Sequence, residues 1–180
     1  NIFYGLDFSD KLKAVQKRTL LHNKASIFGY TVNDPQRYGV IEYDGKGKVL
    51  SIEEKPLVPK SKLAVTGLYV YDNSVIEKAK SLEASHRGEL EITAVNNMYL
   101  NEQQLKYSVL GRGTAWLDTG TKDDLLDAAI YIRAIEKRQG LQIASPEEIA
   151  FTKGWVDKNT ILERLSLYES TEYYKYIANL

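Results

Sequence analysis

Residues 38–56 read YGVIEYDGKGKVLSIEEKP, two β-rich runs on either side of a glycine-containing turn. Val, Ile and Tyr fit a pleated surface, and Gly45 and Gly47 supply the positive φ that a tight connection needs, so the stretch predicts a β-hairpin that Pro56 brings to a stop. Downstream, LAVTGLYVYD (63–72) is almost continuously apolar and predicts a strand buried on both faces. Upstream, ASIFGYTV (25–32) predicts another strand, ending in the turn residues NDPQ.

Helical patterns follow. Residues 73–83 open on Asn73 as a candidate N-cap, with Val75, Ala79 and Leu82 on one face. A less regular helix carries Leu90, Thr93, Val95, Met98 and Leu100, and LKYSVLG (105–111) alternates as a strand. A short strand is expected over 114–117, then a long helix over 121–139. There Thr121 and Asp124 make a capping box, Leu125, Ala128, Ile132 and Ile135 form the apolar stripe, and Gly140 ends it. Beyond Gly140 come three short polar-capped helices and no strand. The expectation is an α/β fold: a mixed sheet over residues 1–140 and a helical tail over 141–180 that packs on that sheet or on another subunit.

Composition narrows the function. The 180 residues carry 24 basic and 24 acidic side chains, 43% hydrophobic residues and no Cys. Disorder, disulfide scaffolds, zinc ribbons and thiol catalysis are disfavoured, and balanced charge gives no footprint for a nucleic-acid backbone. No apolar run reaches the ~18–20 residues of a membrane span and the start has no signal-peptide pattern, so a soluble cytoplasmic protein is expected. The chain begins at Asn1 and its single Met is Met98, which suggests a cropped product.

His22 and His86 are expected at the surface, and neither has metal-ligand spacing. A metal here would be a hard, oxygen-bound ion. AWLDTGT (115–121) places Asp118 after an apolar strand and before the cap of the long helix, a junction where a carboxylate could hold Mg²⁺ beside phosphate. Trp116 has the parity of Asp118. The same Asp-Thr-Gly string occurs in aspartic proteases, but those need two copies or a dimer, and a single copy feeding a long helix argues against that reading. In SIEEKP (51–56), period 2 puts Glu54 on the face of Leu50 and Ile52 and points Lys55 the other way unless the strand twists out. Arg87, in a loop before Gly88, could hold a phosphate. Glycine-rich phosphate loops of the GxGxxG or GxxxxGK[ST] kind are absent.

Taken together, VNDPQRYGVIEYD, SIEEKPLVPKSKLAVTGLYVYDN, RGELEIT, GRGTAWLDTGT and RQGLQIASPEEIAF closely resemble the glucose-1-phosphate thymidylyltransferase family of sugar nucleotidyltransferases, from Asn1 to about Trp155. The resemblance implies a Rossmann-like nucleotidyltransferase core and attack of glucose 1-phosphate on the α-phosphorus of dTTP with Mg²⁺ assistance. The products are dTDP-glucose and pyrophosphate, on the way to dTDP-rhamnose-type sugars of cell-surface polysaccharide. It implies that Tyr38, Gly39 and the backbone at Val65 line the sugar pocket, with Trp116 beside it. Glu54 would accept sugar hydroxyls, Lys55 and Arg87 would hold the sugar phosphate with Lys55 catalytic, and Asp118 would be a catalytic Mg²⁺ ligand. It also implies a homodimer or homotetramer, and no nucleic-acid or membrane partner. A second nucleotide site at subunit contacts is matched by Tyr4, Gly5, Arg112, Glu148 and Ile149, although Thr152 replaces a usual Arg there. Thr114 stands where Tyr is usual, Ala94 where Asp is usual, and about three extra residues lie between Gly5 and Ala25. The family's GxGTRL loop and its other Mg²⁺ ligand are not in this sequence, so the chain alone is expected not to turn over. The alternatives are a non-catalytic sugar-phosphate-binding or assembly module, and uridylyltransferase specificity.

Overall fold

The computed structural model describes residues 1–22, 24–85 and 87–180; His86 lies outside them. The chain divides into two compact units, Asn1–Asp118 and Thr119–Leu180, so the long helix groups with the tail.

In the first unit, β1 (Ile2–Gly5) leads into α1 (Phe8–His22) and β2 (Ala25–Thr31), followed by a 3₁₀ turn at Pro35–Arg37. Next come β3 (Gly39–Tyr43), β4 (Val49–Glu54), β5 (Leu63–Val70), α2 (Val75–Lys80), α3 (Ile92–Asn101), β6 (Leu105–Leu110) and β7 (Thr114–Leu117). One five-stranded sheet runs in the order β4-β3-β5-β2-β6, and β1 with β7 makes a separate two-stranded ribbon. Among the described residues only β2 and β6 pair in parallel; the other pairs are antiparallel. The sheet is therefore mixed and the fold α/β.

Both faces of this sheet are covered. Ile27, Ile41, Ile52, Leu63, Val65 and Leu105 pack with Val95 and Tyr99 of α3 on one side. Phe28 and Leu110 pack with Phe3, Phe8, Leu12 and Val15 on the other. Consecutive residues Ile27 and Phe28 thus serve opposite cores, as a strand covered on both faces requires. Neither β1 nor α1 was anticipated. Polar Thr19 interrupts the stripe of α1, and its hydroxyl instead donates to Ser26 Oγ at 2.8 Å, both residues being buried.

The expected hairpin forms, with one change of parity. Glu42 pairs with Ser51 but Tyr43 pairs with Val49, so Leu50 is the extra residue of a β-bulge and is exposed rather than inward. At the turn, Gly47 adopts φ 78° and Asp44 Oδ1 accepts from the amides of Lys46 and Lys48 at 2.9 and 2.8 Å; Gly45 keeps an ordinary φ. Asn73 does not cap α2. Asp72 Oδ1 accepts from the Ser74 amide and hydroxyl at 3.0 and 2.6 Å, an Asx turn one residue earlier. Leu90 is exposed because α3 starts after it.

In the second unit, α4 (Lys122–Gln139) is capped as expected. Thr121 Oγ1 accepts from the Asp124 amide at 3.1 Å, and Gly140 closes the helix at φ 70°. Ala128 is fully buried, whereas Leu125 of the expected stripe is exposed. α5 (Pro146–Thr152), α6 (Lys158–Arg164) and α7 (Glu172–Ala178) each start at a capping side chain, Ser145, Asp157 and Thr171 respectively. Among the described residues no helix is long and apolar enough to cross a membrane.

Candidate active-site cleft

The site begins where β3 and β4 pair Gly39 with Glu54. A Cβ at Gly39 would lie 3.2 Å from Glu54 Oε2 and 3.3 Å from Thr93 Oγ1, so a side chain at position 39 would press on the carboxylate. Glu54 is half-buried at the end of its strand, and Thr93, near the start of α3, donates its hydroxyl to Glu54 Oε2 at 2.5 Å.

Lys55 follows at φ 44°, one of three non-glycine residues in the left-handed region among those described. That conformation ends the strand alternation, and the Lys55 amide donates to the Tyr38 carbonyl at 3.0 Å. Lys55 and Glu54 consequently line the same cleft instead of opposite faces of the strand. A lysine held at such an angle is backbone strain next to candidate chemistry.

The other wall comes from the ribbon. Trp116 is buried on β7, its Nε1 donates to Asn1 Oδ1 at 2.9 Å, and its ring meets Tyr38 edge-on with centroids 5.0 Å apart. Asp118, two residues on, is half-buried and lines the same cleft. The open cleft has a volume of about 240 Å³, room for a small-molecule subsite, with Val65 and Tyr69 of β5 completing its lining. Burial foremost, and then the Glu54 carboxylate, push the Tyr69 hydroxyl up to about 12, so it stays a hydrogen-bond donor at neutral pH.

Seven expected residues therefore meet: Tyr38, Gly39, Glu54, Lys55, Val65, Trp116 and Asp118. Arg87 is not among the cleft residues; its guanidinium pairs with Glu89 at 3.1 Å and Glu91 at 3.4 Å. Asn1, Tyr69 and Thr93 are cleft residues that sequence reasoning did not single out. Two of the residues matched to a second nucleotide site, Tyr4 and Gly5, lie on β1 with Gly5 paired to Thr114, and exposed Arg112 lies in the turn before β7. Glu148 accepts from the Tyr176 hydroxyl at 2.6 Å within the second unit, where Ile149 is exposed.

Among the described residues no group of three His, Cys, Asp or Glu side chains could hold a metal. A single half-buried carboxylate such as Asp118 suits Mg²⁺ only in the mode where substrate phosphates and waters supply the remaining oxygens, and that donor chemistry fits.

Residues 1–134 match the family model described as nucleotidyl transferase. The chain belongs to that nucleotidyl transferase family. It is 49% identical over 180 residues to the glucose-1-phosphate thymidylyltransferase of Mycobacterium tuberculosis, covering 100% of this chain and 61% of that one. The Neisseria gonorrhoeae enzyme of the same name is 48% identical over 180 residues, with 62% of its length covered. The chain thus spans about three fifths of the length of the curated relatives it matches. The likeness continues through the tail, beyond the Trp155 expected from sequence. Among solved structures of nucleotidyl transferases, a Bacillus anthracis chain assigned as a glucose-1-phosphate thymidylyltransferase and crystallised with sucrose superposes with a TM-score of 0.62 at 39% identity. The superposition covers 73% of this chain and 51% of that one.

Proposed function

We propose that this chain forms the sugar-phosphate side of a glucose-1-phosphate thymidylyltransferase, which joins glucose 1-phosphate to the thymidylyl group of dTTP. The observation that carries this reading is the convergence of Lys55, Glu54, Trp116 and Asp118 on one cleft, drawn from a hairpin end and a separate ribbon. A phosphate oxygen of glucose 1-phosphate attacks the α-phosphorus of dTTP; the bond to the β-phosphate's bridging oxygen breaks, and pyrophosphate leaves with that electron pair. Little covalent chemistry falls to the protein, so positioning and charge neutralisation carry the rate.

In this reading Glu54 accepts sugar hydroxyls, and Tyr38, Gly39, Val65 and Trp116 bound the ring. Lys55 holds the sugar phosphate as a point charge, in a backbone conformation that ends the strand alternation and leaves it lining the same cleft as Glu54. Arg87 would add to the phosphate contact on leaving its carboxylate partners. Asp118 would hold Mg²⁺, which when bound neutralises phosphate charge. Tyr4, Gly5, Arg112, Glu148 and Ile149 are proposed for a second, regulatory nucleotide contact, and residues 141–180 for assembly into a homodimer or homotetramer.

Calorimetric titration of the 180-residue chain with glucose 1-phosphate tests the reading, alongside pyrophosphate release from dTTP with Mg²⁺. Saturable binding without turnover is expected, because the family's triphosphate-cradling GxGTRL loop is not in this sequence. Absence of binding overturns the sugar-phosphate assignment.

A further inference from the structure

Thr93 is 6% exposed, sits in the first turn of α3, and donates its one hydroxyl hydrogen bond to Glu54 Oε2 at 2.5 Å. No other hydrogen bond or ion pair reaches the Glu54 carboxylate among the described residues, so Oε1 is left for whatever enters the cleft. Gly39 lies against the same two oxygens, 3.2 and 3.3 Å from where its Cβ would be. Glu54 on its own is a flexible side chain at a strand end, free to turn toward water. Fixing one oxygen before the ligand arrives removes that freedom in advance and lowers the entropic cost of binding.

We propose that Thr93 is a positioning residue for sugar recognition: its hydroxyl locks the Glu54 carboxylate with one oxygen committed and the other turned to accept sugar hydroxyls. The proposal rests on the sugar-phosphate reading above. Thr93 acts through Glu54 and does not touch the phosphate, so its effect separates the two ends of the ligand. The sugar end depends on it, and the phosphate end, held by Lys55, does not.

The test titrates the chain and its variants with glucose 1-phosphate and, separately, with inorganic phosphate, which carries no sugar hydroxyl. Thr93→Val keeps the side chain's shape and removes the donor. It should weaken glucose 1-phosphate binding about tenfold, the usual size of a lost hydrogen bond to a charged group, and leave phosphate binding unchanged. Thr93→Ser should restore wild-type affinity, and Thr93→Val added to Glu54→Gln should have no further effect. Melting curves run alongside show whether each variant is folded, and Thr93→Ala replaces the Val variant if that one unfolds. Equal weakening of both ligands, or no weakening of either, overturns the positioning role while leaving the sugar-phosphate assignment intact. A wild-type chain that binds neither ligand removes the assignment and the Thr93 proposal together.

Discussion

The backbone amide of Lys55 donates to the carbonyl of Tyr38 at 3.0 Å, and this bond pins a lysine at φ 44°. A non-glycine residue in the left-handed region costs roughly 1–2 kcal/mol, and the fold tolerates that cost where Lys55 and Glu54 line one cleft.

Lys55→Gly should therefore separate stability from binding. Glycine relieves the strain but loses more chain entropy on folding, so the net change should lie between zero and a gain of about 1 kcal/mol. Phosphate and glucose 1-phosphate binding should both be lost, since the point charge is gone. Thermal melts and titrations on one preparation check this; a melting temperature well below wild type would contradict the strain argument.

Gly39→Ala should do the reverse. Its methyl group would arrive 3.2 Å from Glu54 Oε2, a contact relieved only by moving the carboxylate. A stability loss of about 1 kcal/mol is expected from the crowding, with glucose 1-phosphate binding weakened about tenfold as Glu54 turns away. Titration with inorganic phosphate as a control should show little change.

The two tryptophans give an optical test. Trp116 is 8% exposed and edges onto Tyr38, whereas Trp155 is 72% exposed. Iodide should quench chiefly Trp155, and glucose 1-phosphate should alter chiefly the emission of Trp116. The ligand response should persist in Trp155→Phe and vanish in Trp116→Phe. A response that follows Trp155 would place the ligand elsewhere.

Alkaline pH should weaken the first unit through a stack of tyrosines. Tyr69 and Tyr71 lie 5.8 Å apart, Tyr71 and Tyr99 5.5 Å apart, and burial foremost raises all three hydroxyls, Tyr69 and Tyr99 to about 12. Groups whose folded value lies above the unfolded one stabilise fully below about pH 10 and lose that contribution as pH rises through the folded value. Denaturant midpoints should fall from about pH 10 upward, and Tyr69→Phe should flatten part of that slope. An unchanged slope in Tyr69→Phe would show that this hydroxyl ionises as freely as in the unfolded chain.

Much of this was legible because local chemistry wrote it. Thr121, Asp124 and Gly140 fixed the ends of α4 by caps that need no tertiary partner, and the glycine turn fixed the hairpin. What escaped depended on distant partners. Thr19 looks like a break in the stripe of α1 until Ser26 is set beside it. The inward face expected for Leu50 fails because a bulge is a property of two strands together. Alternation pointed Lys55 away from Glu54, and only the left-handed backbone reverses that. Thr93 was legible only as part of a helix, since a threonine in the first turn is ordinary until a carboxylate 39 positions away accepts its hydrogen bond.

The ribbon adds a kinetic consequence. Trp116 and Asn1 are 115 positions apart in sequence, yet they share a hydrogen bond, and β1 closes on β7 across nearly the whole first unit. Local hairpins can zip early, but a closure of that span must wait until the intervening chain is organised. The wall of the cleft that bears Trp116 and Asp118 is thus expected to assemble after the sheet and, with only two strands, to open before it. Amide hydrogens of Phe3 and Trp116 should exchange with solvent sooner than those of Ile27 and Val65, which leaves the entrance breathing while the sheet beneath it holds still.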